Sequence, residues 1–202
     1  MSCFLAPRVL SQKTVEIAEI LTHDGGEACQ KALLPTSLYQ ASRAEGKRFS
    51  VLKFNDIHIR EEVQIKSAFL FYKTTQPFAA TGSQTLYIVP IDSLKYASCD
   101  NLDDITDLEE ATQPWLITEW EVDYDVKVYV GVSPDISTYI KHAYSKNFPE
   151  KFSMNFLVFW KTDESEVALD INLLELVINY QHFPGGNHQI WSLISTNSIV
   201  LT

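Results

Sequence analysis

Residues Gln64–Lys73 read QIKSAFLFYK. In an extended chain successive side chains point to opposite faces, so Ala68, Leu70 and Tyr72 share one face while Ser67, Phe69 and Phe71 share the other. Both faces are largely apolar, whereas a strand on the outer wall of a water-exposed antiparallel sheet alternates apolar with polar residues. The doubling recurs in SMNFLVFWK, where Met154, Phe156, Val158 and Trp160 oppose Leu157 and Phe159. It recurs again in LLELVINYQ, where Leu173 and Val177 oppose Leu174, Leu176, Ile178 and Tyr180. A two-layer sandwich gives each sheet only one inner face. The second face needs a cover, and three are available: the N-terminal segment, the C-terminal tail, or a neighbouring subunit.

Strand signals dominate the rest of the chain. They fall at Lys13–Leu21, Arg48–Phe54, Thr85–Ile91, Trp115–Asp123 and Val126–Val132, besides the three stretches above. One segment, SPDISTYIKHAYSKN, reads as a helix. Asp135 or Ser133 can cap it, Pro134 sits near its first turn, and Ile136, Tyr139, Ile140 and Ala143 share a face. The acidic stretch Cys99–Pro114 reads as a loop. With 202 residues, 46% of them hydrophobic, the chain can bury a substantial core. The predicted fold is all-β: an antiparallel, jelly-roll-like β-sandwich with one short helix near 135–145. It forms a single domain over 1–202, with an N-terminal extension at about 1–12 and a β-prone tail at about 182–202.

Several segments, in order, carry a likeness. RFSVLKFNDI is similar to an R-x-x-L-x-F-D-L strand, and VQIKSAFLFYK to an I-x-S-A-x-L-x-L-Y strand, with TLYIVPI as the short strand after it. DISTYIKHAYSKN, followed by MNFLVFWKTDES, is similar to a D-V-T-x-x-V-x-x-W turn and helix leading into a G-F-L-L-K strand; LLELVINY closes the series. Together, residues 48–181 resemble the DNRLRE-type β-sandwich domain of bacterial surface proteins. That family's tryptophan-rich W-x-E-x-x-V-T-W segment is missing, replaced by the acidic stretch, and Leu174 stands where a proline is usual. The resemblance implies a non-catalytic structural or adhesive module and carries over no catalytic residue.

Enzyme signatures are mostly absent from the sequence, and a hydrolase built on scattered acidic residues is the remotest reading. The seven glycines form neither a dinucleotide fingerprint nor a phosphate loop, and there is no G-x-S-x-G or H-E-x-x-H. HDGG at His23–Gly26, and FPGGN between His182 and His188, read as turns. The stretch DNLDDITDLEE lacks the glycine and the closing glutamate spacing of a calcium loop and reads as a solvated acidic segment. No cofactor or metal site is expected. The net charge of −10 argues against nucleic acid and against an anionic membrane surface. No run of about 18 apolar residues is present to span a bilayer, and the start MSCFLAPRVL does not read as a secretory signal.

The functional expectation is a structural subunit that associates with itself into a fibre, coat or appendage on a bacterial cell or spore. Such a chain would be made in the cytoplasm without a Sec signal. Phe69, Phe71, Leu157, Phe159, Trp191 and Ile194 are the candidate association residues. Cys3, Cys29 and Cys99 either stay reduced or serve in a disulfide between subunits, with Cys3, near a terminus, the foremost candidate. The alternative is a glycan- or receptor-binding module, including a virion component. Trp115 and Trp120, five residues apart and so on opposite faces of one strand, are the candidate stacking platforms.

Overall fold

The computed structural model describes residues 10–23, 29–32, 34, 36–38, 49–59, 62–74, 83–91, 118–123, 130–160 and 169–183. They form eleven strands and one helix. In chain order these are β1 (Leu10–Glu16), β2 (Glu19–His23), β3 (Gln30–Ala32), β4 (Thr36–Leu38), β5 (Phe49–Ile57), β6 (Val63–Thr74), β7 (Ser83–Ile91), β8 (Thr118–Asp123), β9 (Val130–Val132), α1 (Ser137–Asn147), β10 (Phe152–Trp160) and β11 (Leu169–His182).

The strands build two antiparallel sheets, as the alternating pattern predicts. The first has the order β1-β11-β6-β9, with β4 also paired to β11, and the second the order β3-β2-β5-β10-β7-β8. From β5 to β7 and again from β9 to β11, consecutive strands alternate between the sheets. Each sheet is therefore assembled from distant parts of the chain. β3 and β4 are two short strands that the hydrophobic pattern does not signal.

The core lies between the sheets. Ala68, Leu70 and Tyr72 of β6 and Leu174, Leu176 and Ile178 of β11 face Leu52 and Phe54 of β5, Leu86 and Ile88 of β7, and Phe156 and Val158 of β10. Phe54 and Phe156 meet edge to face with ring centroids 6.1 Å apart.

The N-terminal stretch expected as one strand is divided between both sheets. β1 pairs with β11 up to Glu16, whereas β2 pairs with β5 from Glu19 onward. The crossing is marked by two hydrogen bonds: Ile17 N–H donates to the Leu174 carbonyl at 3.1 Å and Ala18 N–H to the Lys53 carbonyl at 2.8 Å. At this point the inward residues change from odd to even positions, from Val15 and Ile17 to Ile20.

Helix α1 lies against β6 and β10 and places Ile140 and Tyr144 in the shared core, joined by Ile136 just before its first turn. It and the segment before it complete the edge of β6 beyond the short β9. The Leu70 N–H donates to Ser133 Oγ at 2.9 Å, the Ala68 N–H to Asp135 Oδ1 at 2.9 Å, and the Val63 N–H to the Tyr144 hydroxyl at 3.2 Å. Side chains thus satisfy three backbone donors that a longer β9 would otherwise have to meet.

Candidate association surface

The second face of each sheet has a different fate. In the sheet containing β10, Leu21, Val51, Leu157 and Val89 lie in register across four strands and point away from the core. All four are at most 1% exposed. This face is covered within the single chain. Leu157, expected at a contact between subunits, is instead buried, because the chain itself supplies the cover that the sequence left open to a neighbour.

Beside this apolar row runs a polar one. Glu19, Lys53 and Asn155 are aligned across β2, β5 and β10. The Glu19 carboxylate pairs with both Lys53 and Lys31. Burial works to raise its pKa, but the bonds and charges of the two lysines outweigh it and hold the carboxyl below its ordinary range.

The outer face of the sheet containing β6 is less fully buried among the described residues. Phe69 and Phe71 lie there and are half-buried. Phe71 is opposite Glu175 on one side and Val132 on the other; Phe69 is opposite Val177, which is opposite Thr14. Val132 is 53% exposed and Val130, beside Lys73, is 41% exposed. Phe69, Phe71, Val177, Val130 and Val132 therefore form an apolar band that reaches the β9 edge. Two exposed lysines, Lys66 and Lys73, stand on β6; Glu16 and Glu175 stand on β1 and β11.

The valines of β9 were not singled out as association residues by the sequence, because the alternation within Val126–Val132 marks a strand without showing which way its apolar side faces. A glycine is needed between them. Gly131 is opposite Tyr72, and a Cβ there would clash with the Tyr72 ring. The ring fills the glycine's empty side on the core face and packs on Trp120 of the other sheet, centroids 5.3 Å apart. Burial pushes the Tyr72 phenol up to about 12.

That stacking corrects the expectation for Trp120. It is only 5% exposed and belongs to the core, so it offers no platform for a sugar ring. Its proposed counterpart, Trp115, lies outside the described residues, as do Trp191 and Ile194 and the side chain of Phe159.

Cys29 is also corrected. It is disulfide-bonded within the chain, and its partner is Cys3 or Cys99, both outside the described residues. It is thus removed as a candidate for bonding a neighbouring subunit, and one cysteine is left over.

Among the described residues, no group of three or more histidine, cysteine or acidic side chains is placed to hold a metal ion. No helix among them is long and apolar enough to cross a membrane. No protein-family model and no curated protein matches the chain.

Proposed function

We propose that the protein is a non-enzymatic structural subunit that associates with itself through a β-sandwich, as part of a fibre, coat or appendage on a cell, spore or virion surface. The observation that carries this reading is the apolar band of Phe69, Phe71, Val177, Val130 and Val132 on the outer face of one sheet. The apolar row on the opposite outer face is buried within the chain, whereas Val130 and Val132 of this band are exposed, and contiguous exposed apolar patches on protein surfaces mark interaction sites.

Two further features support it. The order of motifs over residues 48–181 resembles a bacterial surface module. The Cys29 disulfide suits an oxidising setting, where such bonds persist, better than a reducing cytosol.

Sedimentation velocity over a concentration series, with negative-stain microscopy of the same samples, tests the reading. Oligomers or filaments that grow with concentration are expected. Monodisperse monomers at the highest concentration, with or without reductant, would overturn it.

A further inference from the structure

We infer that two copies meet face to face through the outer surface of the β1-β11-β6-β9 sheet, about a two-fold axis that sets the β6 side of one copy over the β11 side of the other. The inference rests on the self-association proposed above and specifies its contact.

Of the four sheet edges among the described strands, the seven-residue β1 is the longest, and the other three are poorly suited to edge-to-edge joining. β9 is three residues long and is followed at once by Ser133 and Pro134; the proline cannot donate to an added strand. β8, the edge of the other sheet, carries exposed Glu119 and Glu121, and β3, at the opposite edge, is a three-residue strand bearing exposed Lys31. Short, charged and proline-flanked edges resist strand addition. The face has no such guard.

Charge placement favours a second copy as the occupant. The aromatic centre, Phe69 and Phe71, is flanked by Lys66 and Lys73 on β6 and by Glu175 and Glu16 on β11 and β1. A surface with cations on one half and anions on the other is complementary to itself under a two-fold rotation. The four-strand order maps onto itself in the same operation: β6 faces β11, and β9 faces β1. Val132 and Val130 of one copy then approach the outer residues of the partner's β1.

The face is small. Four strands about 4.8 Å apart and some seven residues long present on the order of 400 Å². That is about half of the roughly 800 Å² per partner of a standard stable interface. The contact is therefore weak and visible only at high protein concentration, or when repeated many times in an array.

Charge reversal tests the pairing on the full chain. Glu175→Lys and Lys73→Glu each place like charges across the contact twice, by symmetry, and are expected to weaken association about tenfold in sedimentation equilibrium. The double variant is expected to return it to within about threefold of the original, since it exchanges the signs of the two halves. All three variants should keep the far-ultraviolet circular dichroism of the parent, because both side chains stand on the outer face. Val132→Asn, at an exposed position, should weaken association without touching any charge. If the parent associates but the single reversals leave its affinity unchanged, or the double variant is no stronger than the singles, the face-to-face pairing is wrong while self-association stands. If the parent is monomeric throughout, both fail.

Discussion

At the scale of single residues, a few positions carry constraints that their neighbours do not. Asp56 has a positive φ of 54°, within a stretch where the register of β5 against β10 shifts. Aspartate tolerates this left-handed conformation better than most residues, and Lys151 pairs with its carboxylate at 3.1 Å. Asp56→Val should destabilise the fold by about 1–2 kcal/mol, read from urea unfolding, because a β-branched side chain crowds the backbone there. Thr74 is the converse case. It is buried, and its hydroxyl has no hydrogen-bond partner among the described residues. Thr74→Val keeps the shape and removes a polar group that burial strips of water. A gain of about 1 kcal/mol in the same measurement is expected, and a loss would show that the hydroxyl is bonded after all. Neither position was legible beforehand, since both depend on partners far away in the chain. Ala68, Leu70 and Tyr72 were legible as a core face because their alternation is local. Phe69 and Phe71 were legible as a problem for the same reason.

At the scale of elements, the segment from Ser133 to Ser137 joins a sheet edge to a helix. Asp135 Oδ1 accepts from the backbone N–H of Ala68 at 2.9 Å and from that of Ser137 at 2.8 Å, while the Ser137 hydroxyl donates to Oδ2 at 3.2 Å. The sequence put Asp135 or Ser133 at the cap of α1, but the capping position falls on Ile136, which makes no side-chain cap bond, and Asp135 one residue earlier receives the Ser137 N–H instead; the bond to β6 was hidden, because nothing local reveals which strand lies alongside. Burial pushes the Asp135 carboxyl up, but the three donors and the nearby Lys141 prevail and hold it below its ordinary value of 3.8. Its folded pKa is depressed, so its contribution to stability is present in full above that value and is lost as pH falls through the lower, folded pKa. Asp135→Asn keeps an oxygen acceptor and loses the charge, and should cost less than Asp135→Ala. The alanine variant leaves the Ala68 and Ser137 N–H groups without this acceptor, at about 1–3 kcal/mol. Thermal melts at pH 7 and below pH 3.8 check both parts: the gap between parent and Asp135→Asn should narrow at the lower pH. A gap that stays constant with pH would assign the role to shape alone. The division of β1 from β2 shows the same limit of local reading. The change of parity after Ile17 is present in the sequence, but only the pairing with β11 and then β5 identifies it as a move between sheets.

At the scale of the whole molecule, the two sheets treat their outer faces differently, and this asymmetry organises the proposed function. The sequence marked both faces as apolar and could not say which the chain covers, because the cover belongs to tertiary structure. The row of Leu21, Val51, Leu157 and Val89 is part of the folded interior. Leu157→Ala should therefore lower stability by about 2–5 kcal/mol, as cavity-forming changes do in a closed core. It should leave the association affinity of the protein that remains folded unaltered. Phe69→Ser should show the opposite balance, a modest cost in stability and a clear loss of association, since its side chain is only partly buried before any partner arrives. Unfolding by circular dichroism and association by sedimentation separate the two effects. If Phe69→Ser unfolds the chain as readily as Leu157→Ala and leaves association intact, the outer face of the β6 sheet is structural and the binding surface lies elsewhere. The two variants occupy equivalent places in the hydrophobic pattern, both on the second face of a doubly apolar strand. Contrary outcomes for them would therefore measure directly what the fold adds to the sequence.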